Sequence, residues 1–260
     1  MSRIEQAFQG RKVLIAYITA GDPHPDRTAA LVDAMVRGGA DIIELGVPFS
    51  DPIADGPVIQ RAGYRALGQG TTLTRCLQIA SKIRETSSVP IVLFTYLNPV
   101  VRYGVARLAN DARDVGIAGC LLTDASVEEA EEYVGFMRAE NLDTVFLAAP
   151  TSSDRRLQLV AEYSRGFVYL VSRMGVTGEQ SSVSTHVAPL VDRVRRFTRL
   201  PLAVGFGVSR PEHVREIGKA ADGVVVGSAI MSLIEKHADA PDLETRLEAF
   251  IRELKSGFDA

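Results

Sequence analysis

The feature of this sequence that most limits its fold is an eightfold alternation of short apolar runs with longer amphipathic segments. The short runs are almost continuously apolar, a pattern typical of parallel strands that are buried on both faces. We therefore predict eight strands, which span Val13–Thr19, Asp41–Leu45, Ile91–Thr95, Gly119–Leu122, Thr144–Ala148, Phe167–Val171, Leu202–Val204 and Gly223–Val226.

The segments between these runs carry the spacing of amphipathic helices. Leu31, Ala34, Met35 and Gly38 fall at positions i, i+3, i+4 and i+7, which places them on one helical face. Because each parallel step needs a crossover connection, eight strand–helix steps predict a (β/α)8 TIM barrel of the α/β class. A doubly wound open sheet is the main alternative. The chain has 260 residues, so we expect a single (β/α)8 domain over 1–260.

Composition and charge exclude several other classes of protein. Hydrophobic residues make up 46% of the chain, too many for a disordered chain, and the net charge of -3 favours neither nucleic acid nor an anionic membrane. No apolar run could span a bilayer and the charged start is unlike a signal peptide, so we expect a cytoplasmic protein. The four histidines lack metal-ligand spacing, so we expect no metal site. Cys76 and Cys120 are expected to be buried thiols.

Two carboxylates follow the second predicted strand, at the end of the barrel where active sites lie. Glu44 closes an apolar run, and Asp55 comes in the loop after it. A carboxylate at the barrel mouth is partly desolvated, which raises its pKa and lets it exchange protons near neutral pH. Glu44 and Asp55 are therefore candidates for an acid–base pair. The alternative is structural, with Glu44 in an ion pair and Asp55 in an Asp-Gly turn.

Glycines after the last three predicted strands form a candidate phosphate site. Barrels commonly bind phosphate with the loops after strands 7 and 8 and the N-terminus of a short extra helix. Glycine lets backbone N–H groups approach the oxyanion there. The segments are Gly175–Gly178, Gly205–Gly207 and Gly227–Ala229, in which Ser228 adds a hydroxyl donor. Ordinary turns are the alternative; the sequence contains neither a P-loop nor a Rossmann fingerprint.

Apolar and aromatic side chains near the strand ends predict a surface for a flat apolar ligand. For each of these side chains, a place in the plain barrel core is the alternative. The set consists of Tyr17, Phe49, Ile59, Phe94, Tyr96, Leu122, Tyr169 and Phe206.

The segment from Glu44 to Gln60, ELGVPFSDPIADGPVIQ, closely resembles the signature of the tryptophan synthase α family. The resemblance covers nearly the whole chain and implies a barrel with a short extra N-terminal helix, which Ile4–Gln9 would supply. It also implies a lyase that cleaves indole-3-glycerol phosphate to indole and glyceraldehyde 3-phosphate. Other matching segments are Tyr17–Pro23, Tyr96–Pro99, Ser172–Gly178, Gly205–Val208 and Gly227–Ile230.

This resemblance also implies a role for each matching position. Glu44 would be the acid–base glutamate, Asp55 the aspartate that contacts the indole N–H, and Thr177 the threonine that closes onto that aspartate. Tyr169 would line the site. The implied phosphate-binding positions are Gly178, Gly207, Gly227 and Ser228, and the implied contacts with a β subunit are Pro48 and Asp51.

The family likeness further implies a partner and no cofactor on this chain. Pyridoxal phosphate belongs to the β subunit in this family, and the two subunits form an α2β2 complex in which indole passes to β. One position departs from the family: Ser126 stands where proline is expected, near the β interface, which puts coupling to β in doubt. A free-standing lyase is therefore one alternative. Another is a non-catalytic activator of β, against which Glu44, Asp55 and Thr177 argue.

Overall fold

Nine parallel strands form a nearly closed barrel in the computed structural model, which describes residues 1–171, 184–205 and 207–259, without the side chains of 184–186. The strands follow one another around the sheet in the order β5-β4-β3-β2-β1-β9-β8-β7-β6. This confirms the predicted α/β barrel. The strands are β1 Val13–Thr19, β2 Ile42–Gly46, β3 Ile91–Thr95, β4 Gly119–Leu122, β5 Asp143–Val145, β6 Leu147–Ala148, β7 Val168–Val171, β8 Leu202–Gly205 and β9 Gly223–Val226.

The predicted strand Thr144–Ala148 is divided into β5 and β6 at Phe146. Among the strands that the structure describes, β5 pairs only with β4, and β6 pairs only with β7. The Phe146 ring packs near Tyr133 and Tyr163, with both ring centroids 6.5 Å away, while its carbonyl accepts a hydrogen bond from Tyr169 N at 3.0 Å. The fifth position of the barrel is thus filled by two short strands that share its two neighbours.

Helices follow the strands and cover the outside of the barrel. Each amphipathic helix buries its apolar face against the sheet, where most of the hydrophobic core lies. The α-helices are α1 Arg3–Ala7, α2 Thr28–Gly38, α3 Pro57–Gly68, α4 Leu73–Arg84, α5 Leu97–Tyr103, α6 Val105–Asp114, α7 Glu131–Ala139, α8 Asp154–Tyr163, α9 Ser184–Arg195, α10 Pro211–Gly218, α11 Ser228–Lys236 and α12 Leu243–Lys255. Short 3-10 helices span Pro25–Arg27, Val127–Glu129 and Ser256–Phe258.

The short N-terminal helix α1 closes the end of the barrel at which the strands begin. A capping box starts it: Ser2 Oγ accepts a hydrogen bond from Glu5 N, and the Glu5 carboxylate accepts one from Ser2 N. Ile4 is fully buried in the inner core cluster. A Cβ on Gly166 would lie 2.9 Å from Ile4 Cγ2, so glycine lets the helix approach closely. The predicted helix Ile4–Gln9 is therefore present, two residues shorter at its C-terminal end.

Two core layers follow from the alternation of side chains along each strand. The inner layer is one cluster of side chains from the strands and the residues beside them, which includes Val13, Ile15, Ile42, Val92, Leu121, Val145, Phe167, Tyr169, Ala203 and Val225. This layer fills the end of the barrel at which the strands begin, and a cavity opens at their carboxyl ends.

Candidate active site

A cavity of about 370 Å³ opens at the carboxyl ends of the strands. It brings together side chains from loops and strands far apart in the sequence, as expected of a barrel site. Its described lining consists of Tyr17, Glu44, Ala54, Asp55, Gly56, Ile59, Phe94, Tyr169, Gly207, Val208, Ser209, Val225, Gly227, Ser228, Ala229 and Ser232.

Glu44 lies at the floor of this cavity on β2. It pairs in register with Tyr17 of β1 and Val92 of β3, and the strand alternation that buries Ile42 inside the barrel also directs Glu44 inward. Its side chain is fully buried, and neither carboxylate oxygen has a hydrogen-bond partner among the described residues. Burial without compensation raises the pKa of Glu44 to about 8. Glu44 therefore forms no ion pair among the described residues, in contrast to the structural alternative.

Asp55 faces the same cavity from the loop between β2 and α3. Its Oδ2 accepts a hydrogen bond of 2.9 Å from the Tyr96 hydroxyl, which in turn accepts one of 3.1 Å from Ala54 N. Burial raises the pKa of Asp55 to about 6, although the bond from Tyr96 favours the ionised form. The Asp55 carboxylate is thus ionised at neutral pH while the Glu44 carboxyl keeps its proton. Environments that separate two carboxyl groups in this way suit an acid–base division of labour.

Two tyrosine rings form the walls, and glycines make room for both. A Cβ on Gly46 would lie 2.2 Å from the Tyr17 hydroxyl oxygen, and one on Gly205 would lie 2.0 Å from that of Tyr169. The Tyr17 ring also meets Phe94 edge-on, with centroids 5.2 Å apart. This leaves a slot with apolar walls and carboxyl groups at one side, which fits a flat ring carrying an N–H group.

The opposite side of the cavity meets the N-terminus of α11. Gly227 precedes this helix, and its first intrahelical bond runs from Met231 N to Gly227 O. The N–H groups of the preceding residues in the first turn therefore have no partner within the helix. Gly207 has a left-handed φ of 68°, a conformation that favours glycine. With no lysine or arginine in the described lining, an anion here would be held by backbone N–H groups, the helix dipole and serine hydroxyls.

Six of the residues predicted for the substrate site are absent from this lining, namely Phe49, Tyr96, Leu122, Thr177, Gly178 and Phe206. Leu122 is buried in the outer layer, between the sheet and the helices, rather than in the cavity. Thr177, Gly178 and Phe206 lie outside the described residues. Tyr96 contacts the site through Asp55 rather than through the cavity wall.

Some lining residues were not predicted from the sequence. Ser209 and Ser232 add hydroxyl groups beside the glycine loops, and Val225 and Ala229 add apolar surface. Ser232 follows Ser228 by four residues on α11, and this spacing alone would have placed the two on one helix face. Ser209 had no comparable signal.

Of the two predicted partner contacts, Pro48 lies in a groove separate from the site, and Asp51 is not part of its lining. Pro48 lines this groove of about 350 Å³ together with Phe49, Asn98 and Arg102. Asp51 is exposed, and its Oδ2 accepts a hydrogen bond of 2.6 Å from Ser50 Oγ.

Ser126 keeps a backbone conformation that proline would also adopt. Its φ is -70°, within the range that a proline ring fixes. The hydroxyl donates a 2.6 Å hydrogen bond to Glu128 Oε2, and Glu128 pairs with Arg156 at 2.9 Å. These partners lower the pKa of Glu128 to about 2. Side-chain contacts of Ser126, Glu128 and Arg156 therefore hold this loop in a conformation that is compatible with proline at position 126.

Neither a metal-binding cluster nor a membrane-spanning helix is found among the described residues. No group of three or more histidine, cysteine, aspartate or glutamate side chains could hold a metal ion. No helix in the described ranges is long and apolar enough to cross a membrane. Cys76 and Cys120 are both buried and free, as the sequence predicted.

The sequences of known proteins match this chain over nearly its whole length. The family model described as "Tryptophan synthase alpha chain" matches residues 4–259. The tryptophan synthase alpha chain of Solibacter usitatus is 66% identical, with 100% of this chain and 99% of that protein covered. That of Dehalococcoides mccartyi is 46% identical, with both chains covered completely.

Solved structures of tryptophan synthase chains also superpose on this chain. Tryptophan synthase subunit alpha from Legionella pneumophila superposes with a TM-score of 0.93 at 33% identity, covering 100% of this chain and 99% of that one. A chain from the tryptophan synthase a2b2 complex of Pyrococcus furiosus superposes with a TM-score of 0.87 at 42% identity, covering 95% and 99%. The chain belongs to the tryptophan synthase alpha chain family, and it is a lyase that cleaves indole-3-glycerol phosphate in tryptophan biosynthesis.

Proposed function

We propose that Glu44 and Asp55 carry out this cleavage within the described cavity. The observation that carries the proposal is the Glu44 carboxyl group, which is fully buried, has no hydrogen-bond partner among the described residues, and faces the same space as Asp55. A protein gains no stability from such a group, and an unpaired carboxyl with a pKa of about 8 suits proton transfer near neutral pH. In this proposal residues 1–260 form one domain.

The substrate would lie across the cavity with its two ends held differently. The indole ring would lie in the slot between Tyr17, Phe94 and Tyr169, with its N–H directed at Asp55. The phosphate would lie at the N-terminus of α11, against Gly207, Gly227 and Ser228. Binding both ends places the bond to be broken between them, which is the positional part of catalysis.

The chemistry is a retro-aldol type cleavage with balanced proton transfers. Protonated Glu44 donates its proton to carbon 3 of the indole, and the positive charge moves to the ring nitrogen. The Asp55 carboxylate stabilises that charge. The Glu44 carboxylate then takes the proton of the glycerol hydroxyl next to the breaking bond. The carbon–carbon bond breaks, its electron pair restores the aromatic ring, and the hydroxyl carbon becomes the aldehyde of glyceraldehyde 3-phosphate.

We further propose that the chain works with a tryptophan synthase β subunit, as the a2b2 complex of the Pyrococcus furiosus relative suggests. The surface around Pro48 and Asp51 would contact β. Each of the proposed steps uses only side chains and backbone groups of this chain, so it needs no cofactor of its own; pyridoxal phosphate would belong to β. The proposed location of the complex is the cytoplasm.

Release of indole from indole-3-glycerol phosphate, measured with and without added β subunit, tests this proposal. We expect slow release by the chain alone and strong acceleration by β. Fast release that β does not change would instead indicate a free-standing lyase. A folded chain that releases no indole in either case would contradict the proposed chemistry.

The two carboxyl groups predict a bell-shaped pH dependence of kcat/KM. Asp55 must be ionised, so activity should fall as the pH drops below about 6. Glu44 must begin the cycle protonated, so activity should fall as the pH rises above about 8. Steady-state kinetics between these limits and beyond them checks both limbs. A flat profile from pH 5 to 9, which extends roughly one unit beyond each of the two pKa values, would argue against this assignment.

A further inference from the structure

A network of four charged side chains connects three elements that surround the cavity. It consists of Arg61 and Arg65 on α3, Asp22 in the loop after β1, and Glu235 on α11, and we call it the bridging network. Arg65 contacts both oxygens of Asp22, with Nε–Oδ1 2.7 Å and NH2–Oδ2 2.8 Å, and its NH1 lies 2.7 Å from Glu235 Oε1. Arg61 contacts both Glu235 oxygens at 2.8 and 2.7 Å.

The geometry of this network is unlike that of a loose surface ion pair. The Asp22 side chain is fully buried, and that of Arg65 is only 32% exposed. Arg65 uses the planar fork of its guanidinium group to bind one carboxylate in a bidentate manner while also reaching a second. Isolated exposed pairs contribute little to stability, but a shared, partly buried arrangement of this kind fixes the relative positions of the segments that carry it.

Those segments hold the two ends of the proposed substrate site. Asp55 lies two residues before Pro57, where α3 begins, and Gln60 Nε2 of α3 donates a 2.9 Å hydrogen bond to Asp55 O. The same Gln60 group also donates to Pro52 O at 3.3 Å. Helix α3 therefore fixes the loop that presents Asp55. Helix α11 carries Ser228 at its start and Glu235 two turns later, so the network joins this helix to α3.

We propose that Glu235 and Arg65 are positioning residues, which set the separation between the Asp55 loop and the anion-binding end of α11. This inference rests on the proposed function. A substrate held by its phosphate presents its ring to Asp55 at a distance that the network fixes. Neither side chain lines the cavity, so both act through the elements they connect. Misplacement by about 1 Å can cost on the order of a hundredfold in rate.

This role predicts a split between kcat and KM. The phosphate contacts of α11 do not use Glu235, so Glu235→Ala should leave KM and the dissociation constant of glycerol 3-phosphate within about threefold of wild type. The kcat for indole release should fall by about tenfold to a hundredfold, since α3 and the Asp55 loop that it holds are no longer kept at a fixed distance from α11. Alanine is the best helix former, so the variant should keep α11 intact.

The experiment compares Glu235→Ala, Arg65→Lys and their double variant. Lysine keeps the charge of Arg65 but cannot contact Asp22 and Glu235 together, so Arg65→Lys should match Glu235→Ala. The double variant should be no slower than the slower single variant, because both changes break one unit. Glu216→Ala is the matched control, since Glu216 of α10 pairs only with Lys219, just after this helix, at 2.6 Å among the described residues. Melting temperatures of all variants separate a loss of kcat from a loss of folded protein.

Several results would overturn the inference. A Glu235→Ala variant with wild-type kcat would do so, as would a raised KM with unchanged kcat, which would mean that the network serves binding alone. Multiplied losses in the double variant would show two independent effects. An inactive wild-type chain would overturn the proposed function as well, whereas an active wild type with unaffected variants would overturn this inference alone.

Discussion

Glu44→Gln is expected to lower kcat for indole release by a factor of about 10² to 10⁴, the usual contribution of a positioned acid–base group. The amide has the shape of the carboxyl group but can neither give nor take the protons that cleavage requires. KM should change little, because Glu44 lies at the floor of the cavity and away from the anion-binding end. Single-turnover kinetics with indole-3-glycerol phosphate measures the loss directly.

The same variant should be more stable than wild type at high pH. Burial raises the pKa of Glu44 from its ordinary value to about 8. Between these values the unfolded chain loses this proton while the folded chain keeps it, so wild-type stability falls as the pH rises through that interval. Each pKa unit corresponds to about 1.4 kcal/mol, and glutamine does not titrate. The difference in unfolding free energy between Glu44→Gln and wild type should therefore grow by several kcal/mol with pH.

Asp143→Asn is the matched control for this experiment. Asp143 is also fully buried, and burial raises its pKa, although Arg165 Nε lies 3.6 Å from its Oδ1. It lies at the start of β5, near α1 and far from the cavity mouth. This variant should change the pH dependence of stability without changing kcat. Full activity of Glu44→Gln, with the fold kept, would refute the role given to Glu44.

Asp55→Asn is expected to lower kcat by about 10² to 10³, the loss typical when one preorganised electrostatic partner of the transition state is removed. The carboxylate stabilises positive charge at the ring nitrogen, whereas a neutral amide offers only a dipole. The Tyr96 hydroxyl can still donate to the amide oxygen, so the loop should keep its shape. Steady-state kinetics across pH provides a second check, because the acidic limb near pH 6 should disappear.

Asp26→Asn provides the comparison for Asp55→Asn. Asp26 is exposed after β1, at the same end of the barrel, and pairs with Arg75 at 3.0 Å outside the cavity lining. Its replacement removes a similar charge without touching the site, so kcat should stay at the wild-type value. If both variants lose activity equally, a general change in charge rather than the position of Asp55 would explain the effect.

The barrel was predictable from the sequence because apolar runs mark buried parallel strands directly. Val13–Thr19, Ile91–Thr95, Gly119–Leu122 and Gly223–Val226 agree with the structure at both ends. The break at Phe146 was not predictable, because the run through it is continuously apolar. The pairing of β5 with β4 and of β6 with β7 depends on contacts with α7 and α8, and no local sequence pattern contains these contacts.

The candidate site was predictable in part for a related reason. Glu44 and Asp55 are charged residues at the end of a strand and in its loop, and the structure places both at one cavity. Leu122 illustrates the limit. On β4, Leu121 belongs to the inner layer and Leu122 to the outer one, and a one-residue difference reverses the face of a strand. The sequence also offered no means to see that Tyr96 contacts Asp55, since that contact joins loops 41 residues apart.

The division of the fifth strand has a consequence for aggregation. A closed barrel has no exposed strand edge, and this removes the template on which sheets of separate molecules pair. Here the circle is completed by β5, which has three residues in register with β4, and by β6, which has two in register with β7. Among the described strands the β6–β7 ladder is the shortest, and only β8–β9 is as short as β4–β5, so thermal opening should begin where β5 and β6 meet. It would release two strand edges together, and molecules stressed below full unfolding would associate through them.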